Sequence, residues 1–463
     1  MTEPVALESI LSCFQGVIPS PFATCSPDGT PNITYMSIVH YVDQDRVALS
    51  RQFFNKTRLN LDANPFSQVR VVDPTGINEY AIDLEYLYTE TEGPTFDAMK
   101  ANLEAIASQA GHAQVFRLRG VDIHRALRCA PATQGTAVPA VPSERELVAR
   151  LDEFTRRLAR ATSYDDAVRC GLEAIDDLFG FTQAILLVAD ERGDRLFAIG
   201  DNGYASSGAG SEVAFGVGVV GIAAERRQIV SVPNVARSRV MQSAVGSSVA
   251  GASSEREIPL PGLAGAESVA AVPLLAQDRL RGVLYLESAA PGRFGPHNER
   301  MLRVLASHLA AVLGGLDDES EPQGEQPAET ARPAPLPAAT RPGSGVTYYQ
   351  ADDSVFVDEA YVIKGVPGRI LWRLLCEHAA HGREAFSNRE LRLDESLGLP
   401  AGNDNLEARL LVLRKRLCAA ELGITLERVG RGRLQFRADR PVTLTEVPTS
   451  GPMRVAHAPD RAS

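Results

Sequence analysis

Hydrophobic residues in the first third of the chain alternate with polar residues in a pattern that predicts β-strands. Runs rich in β-branched and aromatic residues are separated by turn sequences such as PDGT and PTG, which indicates antiparallel hairpins. Apolar residues recur at helical spacing over 5–15 and from about Pro94 to Gln109. The predicted strands cover 22–26, 31–42, 46–50, 67–73, 77–90 and 114–127. The pattern therefore predicts a small β-barrel with a few helices over residues 1–130.

A second set of helices and strands is predicted between residues 144 and 315. A helix is expected after Ser143, because this residue and Glu146 form a capping-box pattern ahead of a stripe of apolar residues. The last helix is expected from about Pro296 to Leu313. Between them the chain predicts a helix at 165–179 and strands at 183–190, 195–200, 268–275 and 282–288.

The remainder of the chain divides into a linker and a third domain. Residues 317–345 contain six prolines and no aromatic residue, which predicts a disordered or semi-extended linker. Short strands follow within 346–447, together with a hairpin around Gly430 and Gly432. The helices of this domain are expected at 367–378, 386–394 and 406–417. Short strands, three helices and a closing hairpin form the plan of a winged helix.

Composition narrows the class of protein. The 463 residues, 44% of them apolar, suffice for about three domains of ordinary globular composition. The formal net charge of −11 argues against a protein that coats nucleic acid generally, although a local basic patch remains compatible with it. The six cysteines lack CxxC spacing, which fits reduced thiols and predicts neither a zinc site nor a disulfide framework. Because the chain shows neither a signal-peptide pattern nor a membrane-length apolar run, we expect a cytoplasmic protein.

Residues 50–65, SRQFFNKTRLNLDANP, carry the most specific candidate chemistry. A strand is expected to run into a short helix here, with Asn55, Lys56, Thr57 and Arg58 at the junction. The first amide groups of a helix lack partners and carry a partial positive charge, so this junction suits a phosphate. The helix is expected to stop at the Asn-Pro pair, since a residue before proline avoids the helical conformation. An ordinary capped surface helix is an equal alternative on these residues alone.

The pattern SxxFFNKTRxNLxxNP, preceded by hairpin strands, resembles the pyridoxamine 5′-phosphate oxidase-like flavin-binding split barrel. The resemblance implies that the junction holds the phosphate of FMN, that strand residues border the isoalloxazine ring, and that two copies form a homodimer around the flavin. Arg117, Arg119 and His124 depart from the substrate-binding signature of the true oxidase, so oxidation of pyridoxamine phosphate is not expected. A barrel that has lost its cofactor is the alternative. The implied cofactor-binding residues are Asn32, Thr34, Ser37, Ser50, Gln52, Asn55, Lys56, Thr57 and Arg58.

Residues 144–315 resemble a GAF sensory domain. The matching segments are GVGVVGIAA, Val232-Pro233-Asn234, SVAAVPLL, GVLYLES and Phe294 before the last helix. The resemblance implies a ligand pocket between the sheet and its short helices, and the Ser/Gly/Ala-rich stretch 236–266 is expected to cover it as a lid or to be a loop without a ligand. Cys170 lies in an early amphipathic helix, where a core thiol is expected. The ligand therefore stays unidentified.

The last domain resembles the winged-helix output domains of OmpR-type response regulators, through DNLEARLLVLRKRL as recognition helix and RVGRGRLQF as wing. The resemblance implies binding to double-stranded DNA. Basic residues also outnumber acidic ones over 405–440, and asparagine and arginine are residue types that read base edges or hold phosphates. A solvated basic face or a protein-docking surface is the alternative. The candidate DNA-binding residues are Asn405, Arg409, Arg414, Lys415, Arg416, Arg431 and Arg433, the last two on a wing tip.

Three hypotheses follow for a multidomain α+β protein composed of a split β-barrel, a GAF α/β sandwich and a winged helix. In the first, the protein is a dimeric transcriptional regulator with flavin and GAF inputs and a DNA-binding output. In the second, it is an FMN-dependent oxidoreductase regulated by its GAF domain; a catalytic residue is not identifiable. In the third, its C-terminal domain docks another protein. No metal is expected, because His378 and His381 have no cysteine ligand nearby.

Overall fold

The computed structural model describes residues 4–14, 18–51, 56–73, 78–109, 118–133, 144–190, 193–232, 235, 260–318, 343–399, 405–430, 432–448 and 454–456. These residues form a multidomain α+β protein with curled sheets. Three regions follow one another along the chain. Each contains at least one sheet and its own set of helices.

The N-terminal region is a seven-stranded antiparallel sheet with helices against it. A 3-10 helix, Leu7–Phe14, precedes it and buries Leu7, Ile10, Leu11 and Phe14, the predicted apolar face. Its elements in chain order are β1 (Ser20–Cys25), β2 (Pro31–Met36), β3 (Val39–Tyr41), β4 (Arg46–Arg51), α1 (Lys56–Ala63), β5 (Phe66–Val72), β6 (Glu79–Glu90), α2 (Pro94–Gln109) and β7 (Gly120–Thr133). The strand order is β2-β1-β5-β6-β7-β4-β3.

Two strand predictions in this region are corrected by the structure. The run 31–42 is two strands, because β2 pairs with β1 whereas β3 pairs with β4 on the opposite side of the sheet. Of the described part of the predicted strand 114–127, strand β7 takes up Gly120 onward and continues to Thr133, where it is still paired with Glu79 of β6. Residues 110–117 lie outside the described residues.

The middle region is a six-stranded antiparallel sheet of order β10-β9-β8-β13-β12-β11. Its elements are α3 (Glu144–Leu158), α4 (Tyr164–Phe179), β8 (Gln183–Ala189), β9 (Arg195–Asn202), β10 (Glu212–Ala214), α5 (Gly218–Arg226), β11 (Val230–Val232), β12 (Ser268–Ala276), β13 (Arg279–Ser288) and α6 (Pro296–Asp318). Alternate strand residues face opposite sides of a sheet. Leu186 therefore joins α3, α4 and α6 in one core, whereas Leu187 joins α5 in another.

The C-terminal region contains two small sheets and three helices. Its elements are β14 (Ser344–Tyr349), β15 (Ser354–Val357), β16 (Ala360–Ile363), α7 (Gly365–His381), β17 (Ala385–Ser387), α8 (Asn388–Leu393), α9 (Leu406–Ala420), β18 (Ile424–Gly430), β19 (Arg433–Ala438), β20 (Val442–Val447) and β21 (Arg454–Ala456), with a 3-10 turn at Glu395–Leu397. The sheets have the orders β16-β15-β14-β20-β21 and β17-β19-β18. The predicted helix 386–394 is thus a short strand and a shorter helix, because Ser387 caps α8 at Glu390 N.

The bounds of the predicted linker are also narrower than 317–345. Helix α6 continues to Asp318 and strand β14 begins at Ser344, where it pairs in parallel with β20. Residues 319–342 lie outside the described residues.

The three regions contact one another through helices. Ala101 and Ala105 of α2 are fully buried and belong to the same hydrophobic cluster as α5 and β11 of the middle region. Helix α9 of the C-terminal region lies against β9 and α4, and its leucines share one continuous core with them. These contacts place helices of the barrel and of the C-terminal region on opposite faces of the six-stranded sheet.

Candidate functional sites

A buried polar network supports the first turn of α1. The Asn32 side-chain amide on β2 donates to Thr57 Oγ1 at 3.0 Å and to Thr24 Oγ1 at 3.3 Å. Asn60 on α1 donates to the same Thr24 hydroxyl at 3.1 Å. Thr24, Thr57 and Asn60 are each at most 5% exposed. Two strands of the sheet therefore fix the orientation of the helix at its N-terminal end.

The described part of this turn fits a phosphate group. Lys56 is the first residue of α1 and is exposed, and the first turn contains no acidic side chain. Thr57 accepts the bond from Asn32, which leaves its hydroxyl proton to donate elsewhere. Lysine, a hydroxyl and the first helical amides form a donor set suited to an anion.

The other predicted flavin residues are distributed around this turn. Thr34, within β2, and Ser37, just beyond its end, are half-buried. Ser50, on β4, is buried and its hydroxyl accepts from Ile38 N at 3.3 Å, a bond within the barrel. Gln52 and Asn55 lie outside the described residues.

Arg58 is engaged away from the start of the helix. Its guanidinium pairs with Asp62 at 2.7 Å and donates to Tyr86 Oη at 2.9 Å. The Tyr86 hydroxyl lies 2.8 Å from Thr89, which in turn donates to Asp122 Oδ1 at 2.6 Å. Arg58 thus belongs to a polar chain that links α1 to β6 and β7. This side-chain chain is not evident from the sequence, because its members come from three separate elements.

A buried histidine ends this polar chain. His124 is fully buried on β7, and its Nδ1 lies 3.0 Å from the carbonyl oxygen of Asp122. The rings of Phe22 and Tyr86 meet it edge-on. Burial lowers the pKa of His124 to about 4, so the ring is neutral near neutral pH.

The α5 face of the six-stranded sheet contains a buried carboxylate. Glu287 on β13 is 6% exposed and accepts hydrogen bonds from Tyr285 Oη and Tyr204 Oη, both at 2.9 Å. It also accepts from Leu263 N at 2.7 Å. Burial and the nearby carboxylate raise the pKa of both tyrosines. The alternation of GVLYLES could have indicated this cluster, since it places Tyr285 and Glu287 on one face.

The predicted GAF lid and thiol are only partly described. Residues 236–259 of the stretch 236–266 lie outside the described residues. Cys170 is half-buried on α4, where its thiol donates to Asp166 Oδ1 at 3.4 Å, and burial raises its pKa. Helix α4 lies on the side of the sheet opposite α5, so this thiol does not face the Glu287 cluster.

The predicted DNA-reading helix packs against the middle region. Arg409 is 5% exposed, with its guanidinium carbon 4.9 Å from the centre of the Phe197 ring. Asn405 donates to the carbonyl oxygen of Ala189 at 2.9 Å, and Arg414 lies 3.6 Å from Asp165.

The remaining basic candidates have different surroundings. Burial lowers the pKa of Lys415, and the carboxylates of Asp165 and Asp201 oppose that shift. Arg416 donates to the carbonyl oxygen of Val362 at 3.1 Å, inside its own region. Arg433 is exposed at the start of β19, beside the tip of the β18–β19 hairpin. Arg431 lies outside the described residues.

A metal-ligand cluster and a membrane-spanning helix are both absent from the described ranges. They contain no group of three or more His, Cys, Asp or Glu side chains able to hold a metal ion. None of their helices combines the length and apolar character needed to cross a membrane. The free cysteines are Cys13, Cys25, Cys129, Cys170, Cys376 and Cys418.

Comparison with known proteins supports one of the three expected domains. The family model for the GAF domain matches residues 161–314. No curated protein matches the chain. Three similar solved structures cover between 28% and 40% of this chain.

The GAF domain of a phosphoenolpyruvate-protein phosphotransferase from Acinetobacter is 21% identical, covers 38% of this chain and 96% of its own, and has a TM-score of 0.31. A free methionine-R-sulfoxide reductase from Neisseria meningitidis is 19% identical, covers 40% and 98%, and has a TM-score of 0.31. An FMN-binding protein from Syntrophomonas wolfei is 17% identical, covers 28% and 90%, and has a TM-score of 0.23. The family match and the sheet order together identify residues 161–314 as a GAF domain.

Proposed function

We propose that the protein is a ligand-responsive regulator with a flavin-binding barrel, a GAF sensor and a winged-helix output that binds duplex DNA. The observation that carries the output is the order of elements after residue 343. A small sheet is followed by three helices, and the β18–β19 hairpin then pairs with β17. This order is the plan of a winged helix, with α9 as the recognition helix and the hairpin as the wing.

The flavin input is supported by the anchored first turn of α1. We assign the FMN phosphate to the helical amides, the Lys56 ammonium and the Thr57 hydroxyl, with Asn32 holding Thr57 in position. Arg58 is assigned the supporting role of tying α1 to Tyr86 and Asp62. FMN supplies redox chemistry when bound, and these residues contribute its binding and orientation.

A homodimer is supported by apolar side chains exposed on the barrel. Ile33 and Tyr35 are 69% and 70% exposed on β2, an edge strand of the seven-stranded sheet. Leu59 on the neighbouring helix α1 is 71% exposed. Large apolar side chains that cluster on a surface mark an association site. We therefore place the contact between two copies on the face of β2 that carries Ile33 and Tyr35, opposite the face on which Asn32 supports the proposed phosphate site.

Absorption spectroscopy tests the flavin input. Purified protein titrated with FMN should give a bound-flavin spectrum, and Lys56→Ala should weaken binding by about 10- to 100-fold because a charge-assisted hydrogen bond is lost. Lys100→Ala removes a lysine from α2 of the same barrel and should leave FMN affinity unchanged. Protein that takes up no FMN would exclude this part of the proposal.

Salt-dependent binding to a duplex tests the output. Arg433→Ala should lower affinity and reduce the slope of log affinity against log salt by about one, as expected for one lost phosphate contact. Arg440 is exposed beyond the opposite end of the same hairpin, so Arg440→Ala is the matched control. Equal slopes for both variants would exclude the wing as a DNA contact. Steady oxidation of a reduced nicotinamide by flavin-loaded protein would instead favour an oxidoreductase.

A further inference from the structure

We propose that the GAF domain masks α9, so that DNA and the GAF domain compete for the same face of this helix. The inference rests on the proposed DNA-binding output and describes how that output is regulated. The competing contacts come from Asn405, Arg409, Arg414 and Lys415, four of the residue positions that the sequence assigns to DNA.

Arg409 makes the most enclosed of these contacts. It belongs to the second turn of α9, yet its side chain is 5% exposed and its guanidinium lies over the face of Phe197 on β9. A cation over an aromatic ring gains more when it is removed from water, as here. A side chain held in this position is not available to a base edge or a phosphate.

Asn405, at the start of α9, also contacts the GAF domain. Asparagine at this position commonly caps its own helix, but the Asn405 side chain makes no such bond. Its amide instead donates to the carbonyl oxygen of Ala189, at the end of β8. Recognition helices contact base edges mainly through their N-terminal residues, so this contact occupies the end of α9 that DNA needs.

Charge complementarity completes the contact. Asp165 in the first turn of α4 lies 3.6 Å from Arg414, and both Asp165 and Asp201 favour the charged form of Lys415. A Cβ placed on Gly200 of β9 would lie 3.3 Å from Lys415 Nζ, which leaves little space between helix and strand. The GAF domain therefore presents acidic groups where DNA would present phosphates.

Two GAF-side variants weaken the contact without altering α9. Phe197→Leu keeps an apolar side chain but removes the ring face under Arg409, and Asp165→Lys places a positive charge beside Arg414 and Lys415. Each should raise the duplex affinity of the full chain about fivefold, because apparent affinity scales with the fraction of undocked protein.

Matched controls separate masking from general effects. Phe181→Leu removes an aromatic ring whose centre lies 5.1 Å from the guanidinium carbon of Arg293. Both residues belong to the GAF domain, so this control makes the same change away from α9. Glu173→Lys makes the same change of charge on α4 as Asp165→Lys, at a carboxylate that pairs with Arg169. Both controls should leave duplex affinity within about twofold of the unmodified chain.

A cleavable full-length protein tests docking separately from DNA binding. A protease site is inserted between α6 and β14, the protein is cut after purification, and the two pieces are run on a sizing column. Binding to a pool of random-sequence 30-base-pair duplexes at low salt is then measured by fluorescence anisotropy. Trp372, stacked on Tyr348 at 4.9 Å, reports by its emission that the C-terminal piece stays folded.

We expect the two pieces of the unmodified chain to co-elute and those of Phe197→Leu/Asp165→Lys to separate. The C-terminal piece should bind duplex more tightly once it is separated. Separation of the unmodified pieces would overturn the docking and leave the DNA-binding output intact. Co-elution with equal duplex affinity in all variants would overturn the masking. If the C-terminal piece released from the double variant is folded but binds no duplex, the DNA-binding output is wrong and the masking with it. This holds even if the pieces of the unmodified chain still co-elute.

Discussion

Replacing Glu287 by alanine is expected to loosen two segments of the GAF domain together. The single carboxylate accepts from Tyr285 on its own strand, from Tyr204 after β9 and from Leu263 N ahead of β12. Because burial and the carboxylate raise the pKa of both tyrosines, their hydroxyls are protonated donors throughout the neutral range. Glu287→Ala leaves these three donors without their common acceptor.

The magnitude follows from the surroundings of each donor. A buried donor left without an acceptor costs about 1–3 kcal/mol. Tyr285 is 8% exposed, so the cost of leaving its hydroxyl unpaired should lie at the upper end of this range. Tyr204 and Leu263 are half-buried, so their donors can bond to water instead and should cost less. The expected loss is therefore about 3–5 kcal/mol in total. Glu287→Gln keeps one oxygen for Tyr204 and Leu263 and should cost only about 1 kcal/mol, through the loss of charge assistance.

Hydrogen exchange followed by mass spectrometry measures this difference where it arises. Peptides spanning 200–212 and 260–268 should exchange about two to three orders of magnitude faster in Glu287→Ala, since 1.4 kcal/mol corresponds to a factor of ten. Glu287→Gln should accelerate them by about tenfold or less. Equal exchange in glutamine and alanine variants would refute the assignment of three donors to one carboxylate. Acceleration restricted to one of the two peptides would refute the coupling between the segments.

Three other measurements test the remaining structure. The His124 pKa of about 4 lies below its unfolded value of about 6.5, so His124 should account for a loss of about 2 kcal/mol of barrel stability between pH 7 and pH 5. Thermal unfolding of His124→Gln should show that share removed, while His40, whose pKa burial also lowers to about 4, keeps its own share. Phe436→Ala empties a fully buried position and should cost about 3–5 kcal/mol in urea unfolding followed by Trp372 emission. A double-mutant cycle on Glu104 and Arg226, which pair at 2.9 Å between barrel and GAF domain, should give about 0.5–1 kcal/mol of coupling in thermal unfolding.

Elements fixed by local chemistry are predictable from the sequence. Helix α2 occupies Pro94–Gln109, as its proline start and apolar spacing predict. Helix α4 likewise begins after Ser163, which accepts from Asp166 N, and ends at Gly180 in the left-handed conformation. In each case the signal and the element that it defines lie within a few residues of one another.

Elements that depend on distant partners are not predictable in this way. The sequence carries no local signal for strand β20, because its partner β14 lies at the other end of the domain and the two pair in parallel, without a hairpin turn between them.

Helical geometry explains the position of Arg58. Lys56 and Arg58 are two residues apart, so their side chains leave α1 on roughly opposite sides. Arg58 consequently reaches Asp62 and Tyr86.

The long-range contacts of the candidate DNA-binding residues are likewise not predictable from the sequence. The spacing of Asn405 and Arg409 places both on one face of α9, because residues four apart are neighbours on a helix. The spacing carries no information about what covers that face. Phe197, which receives Arg409, reads in the sequence only as an apolar residue of a strand. A long-range contact of this kind has no local signal.

The contact between α2 and the GAF domain also sets an order of events during synthesis. Ala101 and Ala105 belong to the hydrophobic cluster that includes α5 and β11 of the GAF domain, and Glu104 pairs with Arg226, which follows it by 122 residues. At about 5–20 residues per second, the ribosome needs roughly ten seconds to make that stretch. The barrel therefore leaves the ribosome with a small apolar helix face uncovered. During that interval, the nascent chain stays competent for docking only if chaperones cover this helix face or if its aggregation is slow.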